Sequence, residues 1–130
     1  SSTNGIHHFS DVKHLFLVNY SVLILTVVPA YLIIKKMKKE KRLWELIIPA
    51  KLMMLGLFVL VMIMVLNFDK FFILFHEVLF RNSDWLFDPN LDPIINTLPD
   101  TFFMSCFVLF FCLIEFFLWI GIICGKRSLR

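Results

Sequence analysis

Three long apolar stretches constrain the fold of this chain more than any other feature. They cover residues 15–34, 43–66 and 102–124, and about 20 helical residues are enough to cross the roughly 30 Å hydrocarbon core of a bilayer. Backbone polar groups find no water there, so the stretches are predicted to be transmembrane helices. Because 59% of the residues are hydrophobic and only 18% are charged, the chain is predicted to be an all-α membrane protein with a single integral-membrane domain.

The charged residues between the spans are distributed unevenly. Residues 35–42 carry six basic side chains and one acidic one, whereas residues 67–101 carry six acidic and two basic ones. Cytoplasmic loops of membrane proteins are enriched in Lys and Arg, so residues 35–42 and 125–130 are predicted to be cytoplasmic. Residues 1–14 and 67–101 are then predicted to be extracytoplasmic. The basic loop thus reflects topology, and no nucleic-acid partner is predicted.

The polar residues 1–14 precede the first span, and no apolar stretch before them could export them. We therefore expect at least one further span upstream in the intact protein, which would then have four.

The segment between the second and third spans begins with an aromatic stretch, residues 68–80, that is too short to span. Its polar residues recur seven positions apart, as Asp69 and Lys70 and then as His76 and Glu77. This pattern predicts a helix with one polar stripe, lying at the membrane surface.

Two charged side chains interrupt the spans. Lys51 and Glu115 have predicted depths that differ by about one helical turn, so we expect them to form an ion pair. The alternative is a proton relay in a proton-coupled transporter that uses both residues. Transporters often contain inverted repeats, and no internal repeat is evident here.

The four histidines supply the candidate chemistry: His7, His8, His14 and His76. All four are extracytoplasmic in the predicted topology. They could be mere polar residues at headgroup level, but two His segments that meet at a membrane surface are also typical of an acid–base site.

Metal binding by the histidines is a weaker alternative. His8, Asp11 and His14 would follow one another along one side of a helix and could bind zinc. A carboxylate between two histidines more often orients an imidazole by hydrogen bonding. The helical zinc motif that His76 would begin lacks its second His, because Phe80 stands there. No metal and no cofactor is predicted.

Two motifs carry a family resemblance. The string FHEVLFRNSDWLFDPNLDPIINTLPDTFF, residues 75–103, closely resembles the signature of the lipoprotein intramolecular transacylase (Lit) family of Gram-positive bacteria. HHFSDVKHLF, residues 7–16, is similar to the family's second motif. The residues that match the family pattern are His8, Asp11, His76, Trp85, Asp88, Pro89, Asp92 and Pro99. The chain departs from the family at its N-terminal end, where members have an additional first span and an extracytoplasmic stretch.

The resemblance implies an acyltransferase of the cell membrane that acts on diacylglyceryl-modified lipoproteins. The sn-2 acyl chain would move to the α-amine of the N-terminal Cys, giving a lyso-form lipoprotein, at the extracytoplasmic membrane surface. An α-amine has a pKa near 8, so a neutral imidazole is a suitable base. His8 and His76 are the predicted catalytic pair. The predicted supporting residues are Asp11, Trp85, Asp88 and Asp92.

Other mechanisms and functions stay open. An acyl-enzyme on Ser10, Ser83 or Cys106 would change the mechanism, although no activating motif surrounds any of them. A non-catalytic membrane assembly subunit would have replaceable histidines. Which His is the base and which is the acid is also open.

Overall fold

The computed structural model describes residues 2–130, and that part of the chain is helical without any β-strand. The α-helices are α1 (Thr3–Lys39), α2 (Ile47–Leu66), α3 (Phe68–Leu79) and α4 (Asp100–Arg127). Short 3₁₀ turns, Leu43–Leu46 and Pro93–Asn96, precede α2 and α4. Helix α1, helix α4 and the continuous segment Leu43–Leu66 are each long and apolar enough to cross a membrane. The predicted all-α membrane fold with three spans is confirmed.

The core of the bundle lies between the antiparallel helices α2 and α4. The covered residues of α2 recur every three or four positions, at Ala50, Met54, Leu57, Val61 and Met64. This spacing forms one continuous seam along the helix.

Gly125 allows α4 to approach the start of α2 closely. A Cβ at this position would lie 2.8 Å from Cγ1 of Ile47 and 2.9 Å from the backbone oxygen of Leu43. The absence of a side chain therefore permits the close approach of α2 and α4 at this end.

The predicted ion pair between Lys51 and Glu115 is wrong. In the described part of the chain, Lys51 is exposed and one carboxylate oxygen of Glu115 is buried without a hydrogen-bond partner. Lys51 follows Ala50 of the seam, so it points about 100° away from it. Because Gly125 lies beside Ile47, Lys51 and Glu115 differ in level by six residues, or about 9 Å. Lys51 and Glu115 therefore make no direct contact through which a proton could pass.

Helix α1 stands apart from the other helices along most of its length. Residues 16–34 are all exposed, which needs no protein cover where lipid is the solvent. Near its C-terminal end α1 meets the 3₁₀ turn Leu43–Leu46. Its first turns meet the segment that joins α3 to α4, where His7 pairs with Asp84.

Helix α3 is the short amphipathic helix that the polar stripe predicted. Only Asn67 separates it from α2. Its aromatic face lies against the start of α4, because the rings of Phe71 and Phe75 are centred 5.2 and 5.0 Å from that of Phe107. This packing holds His76 beside the first turns of α1.

Candidate active site

His8 on α1 and His76 on α3 come together at the end of the bundle formed by residues 67–99. Their ring centroids lie 6.1 Å apart, with 38° between the ring planes. Both side chains are half-buried, and the ring of Phe80 packs against each, at 4.9 Å from His8 and 5.7 Å from His76. At this separation one reacting group between the rings can contact both imidazoles.

A hydrogen bond within α3 orients His76. Its Nδ1 lies 2.8 Å from the backbone oxygen of Phe72, and since a carbonyl can only accept, Nδ1 is the donor. In the neutral ring, Nε2 is then a free acceptor. Burial lowers the pKa of His76 below its ordinary value, and the hydrogen bond to Phe72 opposes part of that effect. A neutral imidazole with an available Nε2 is the form that a general base requires.

His8 is held by aromatic packing. The rings of Phe80 and Phe87 meet it edge-on, with centroids 4.9 and 5.5 Å away. Its Nδ1 is buried and makes no hydrogen bond within residues 2–130. Buried ring nitrogens are normally satisfied, so this atom lacks the partner that such a nitrogen usually has.

An apolar cavity of about 620 Å³ opens beside the two histidines. Helix α1 contributes Leu15 and Phe16 to its wall, α4 contributes Phe103 and Phe107, and α3 and the following segment supply most of the rest. Asn19 is one of the few polar residues in the wall. Because the lining is almost entirely hydrocarbon and aromatic, the cavity suits an aliphatic chain.

Two of the predicted supporting residues, Trp85 and Asp88, lie differently with respect to the histidines. Trp85 lines the cavity together with Phe87, and its ring lies 4.7 Å from that of His76. Asp88 is exposed, and its carboxylate accepts a hydrogen bond of 2.8 Å from the backbone N–H of Asn90. Asp88 therefore shapes its own turn and does not face the histidines.

Asp92 ties the same segment to the start of α1. Its side chain is 3% exposed, and it accepts hydrogen bonds from the backbone N–H and the hydroxyl of Ser2. These bonds hold the pKa of Asp92 below its ordinary value. Gly5 leaves room for the carboxylate, since a Cβ there would lie 2.5 Å from Oδ1 of Asp92.

Asp11 has a different partner from the predicted imidazole. Its Oδ2 accepts a hydrogen bond of 3.1 Å from Nδ2 of Asn82. The carboxylate that holds an imidazole is Asp84, whose Oδ2 lies 2.6 Å from Nδ1 of His7. Sequence reasoning missed Asn82 and Asp84, although both stand in the matched string next to Trp85.

His7, Asp11 and Asp84 form a group that could hold a metal ion, with one ligand atom of each within 4.8 Å of the others. The set differs from the predicted series of His8, Asp11 and His14 because Asp84 comes from another element. The His7 side chain is 66% exposed and already paired with Asp84. This geometry is that of a surface ion pair, and it includes neither of the facing histidines.

The three alternative nucleophiles lie outside the cavity wall. Ser10, Ser83 and Cys106 are all exposed, and none of them lines the cavity. The structure therefore brings none of them to the histidine pair.

Comparison with known proteins shows the family of this chain. The family model described as lipoprotein intramolecular transacylase Lit matches residues 1–103. The chain belongs to the Lit family. The match includes α1, α3 and the segment between α3 and α4, and therefore both histidines and every residue of the cavity wall except Phe107. No curated protein and no solved structure matches the chain. Membership in the Lit family indicates an acyltransferase that acts on lipoproteins.

Proposed function

We propose that this protein moves the sn-2 acyl chain of a diacylglyceryl lipoprotein to the α-amine of the same lipoprotein's N-terminal Cys. The amine nitrogen attacks the ester carbonyl, the bond from that carbon to the sn-2 oxygen breaks, and one proton passes from the nitrogen to the released oxygen, which becomes a hydroxyl. The products are an N-acyl group and a lyso-glyceryl group on one molecule. The observation that carries this proposal is the pair His8 and His76 beside an apolar cavity in a Lit-family chain.

The geometry supports different roles for the two histidines. His76 has its Nδ1–H bound to Phe72, so its Nε2 is suited to take the proton from the attacking amine. The ring centroid of His8 lies 6.1 Å from that of His76, and His8 is the histidine that contacts the leaving oxygen. His8 gives a proton to that oxygen as His76 takes one from the amine, and one proton passing from His76 to His8 then returns the pair to its starting state. The reaction needs no metal and no cofactor.

The cavity positions the migrating acyl chain and keeps water away from the ester. Donor and acceptor belong to one molecule, so much of the orientational entropy is lost before binding. Holding the migrating chain against apolar walls keeps the ester beside the histidines and excludes water that would hydrolyse it. The site lies at the end of the bundle opposite the basic residues 35–42, which supports an extracytoplasmic site in the cell membrane.

The proposal is tested by expressing the intact protein with a diacylglyceryl lipoprotein and measuring the lipoprotein's N-terminal acylation by mass spectrometry. We expect N-acyl lyso-form product from the wild type. His8→Ala and His76→Ala should each reduce its rate by about 10²–10⁴-fold at an unchanged level in the membrane.

His14→Ala is the matched control, because His14 lies on α1 outside the cavity wall and should leave the rate unchanged. If both His8→Ala and His76→Ala still formed product at the normal rate, the acid–base pair would be wrong. An unmodified lipoprotein with the wild type would favour a non-catalytic assembly subunit.

A further inference from the structure

Asn82 joins the two elements that carry the histidines. Its Nδ2 donates to Oδ2 of Asp11 on α1, at 3.1 Å. Its backbone oxygen accepts a hydrogen bond of 3.0 Å from Nε1 of Trp85. Its Oδ1 accepts another, also 3.0 Å long, from the backbone N–H of Asp84. Both ends of the Asn82 amide and its backbone carbonyl are therefore engaged.

Two of these three bonds each lead to one histidine of the pair through a single intermediary. Trp85 donates its indole N–H to the backbone oxygen of Asn82, and its ring lies 4.7 Å from that of His76. Asp11 follows His8 by three residues on the same helix, so fixing Asp11 fixes the first turns of α1 that carry His8.

We propose that Asn82 is a positioning residue that sets the separation and tilt of His8 and His76 by linking α1 to the Trp85 ring. This inference rests on the proposed acyl transfer. Asn82 is exposed and does not line the cavity, so it does not touch the acyl chain. Its effect on the reaction passes through Asp11 and Trp85.

The chemistry of the position favours an amide. Asn82 donates to a carboxylate on one side and accepts a backbone N–H on the other, and only a side chain with both a donor and an acceptor does this. A carboxylate in its place would keep the acceptor but would face Asp11 with a like charge. The link to α1 would then be replaced by repulsion.

The test exchanges the two ends of the hydrogen bond. Asn82→Asp should lower kcat for N-acylation by about 10- to 100-fold, as expected for a misplaced catalytic group, with little change in KM because the cavity is intact. Adding Asp11→Asn to the same chain should restore kcat, because the carboxylate and the amide have exchanged places and can bond again.

Asn90→Asp is the matched control on the same segment. Asn90 is exposed and bonds through its backbone N–H to Asp88, so the same change of charge there should leave kcat unaltered. Wild-type kcat in Asn82→Asp, or a loss that Asp11→Asn does not recover, would overturn the inference. A change confined to KM or to the amount of protein in the membrane would overturn it as well.

A separate measurement distinguishes failure of this inference from failure of the proposed function. If the wild type forms no N-acyl product, the proposed function fails, but the position of His76 relative to Trp85 can still be followed by NMR. The two rings are 4.7 Å apart, so nuclear Overhauser contacts between their protons should weaken in Asn82→Asp and return when Asp11→Asn is added. Unchanged contacts between the two rings would show that Asn82 does not position His76.

Discussion

Side chains in and around the histidine site are held by local neighbours and by neighbours from distant parts of the sequence. Phe72 fixes the tautomer of His76 from one turn away, whereas Asp84 holds His7 across 77 positions and Asp92 holds Ser2 across 90. The first contact follows from helical periodicity. The other two exist only because the segment after α3 folds over the start of α1.

The lowered pKa of His76 predicts how the rate of N-acylation depends on pH. Burial pushes the pKa below its ordinary 6.5, so the ring stays neutral as the pH falls through 6.5 and takes a proton only at more acid pH. The substrate amine, with a pKa near 8, is protonated first. The rate of N-acylation should therefore fall about tenfold per pH unit below 8, with a second break only below 6.5. Initial rates between pH 5 and 9 measure this, and a second break at or above 6.5 would contradict it.

The contact between Gly5 and Asp92 makes a second prediction at this scale. In Gly5→Ala the new Cβ would lie 2.5 Å from Oδ1 of Asp92, so the buried carboxylate must move and its hydrogen bonds with Ser2 must weaken. We expect a loss of about 1–3 kcal/mol in unfolding free energy, measured by thermal unfolding in detergent. Gly56→Ala is the control, because nothing lies within 4 Å of a Cβ there. Equal stability of Gly5→Ala and Gly56→Ala would refute the close contact.

At the scale of elements, the alignment of α2 and α4 depends on Gly125. Gly125→Ala places a Cβ against the backbone oxygen of Leu43, which cannot rotate away as a side chain can. The helices should separate at this end at a cost of about 1–3 kcal/mol, seen as a lower midpoint of thermal unfolding. Gly121→Ala on the same helix has open space at its Cβ and should unfold at or above the wild-type temperature, because Ala favours a helix more than Gly does. A wild-type midpoint for Gly125→Ala would disprove close packing at this end.

Helix α1 is the element most dependent on long-range contacts. Its span is exposed along residues 16–34, and the contacts at its two ends position it. The hydrogen bonds of Asp11 and of Ser2 at the histidine end therefore have a direct effect on where His8 stands.

For the whole molecule, the charge asymmetry predicts the orientation in the membrane. In a variant without native cysteines, Asn90→Cys should react with an impermeant thiol reagent added outside intact cells, and Lys38→Cys should not, because residues 35–42 are predicted to be cytoplasmic. Reaction after the cells are opened shows that both thiols are accessible. Labelling of Lys38→Cys but not of Asn90→Cys from outside would reverse the topology and place the histidines on the cytoplasmic side.

The three spans and the short amphipathic helix could be predicted from sequence for a physical reason. Crossing a bilayer depends on the length and polarity of a continuous stretch, and a polar stripe depends on helical periodicity. The Lit resemblance drew attention to His8 and His76 through motifs that are also continuous.

Only the tertiary structure decided which side chains meet. Lys51 and Glu115 miss each other because α2 and α4 pack with Gly125 beside Ile47, and no local pattern encodes that alignment. Asp11 finds Asn82 instead of an imidazole because the segment after α3 returns to α1. A hydrogen bond requires two groups within about 3 Å, so its existence depends on the relative placement of whole elements, which single stretches of sequence do not determine.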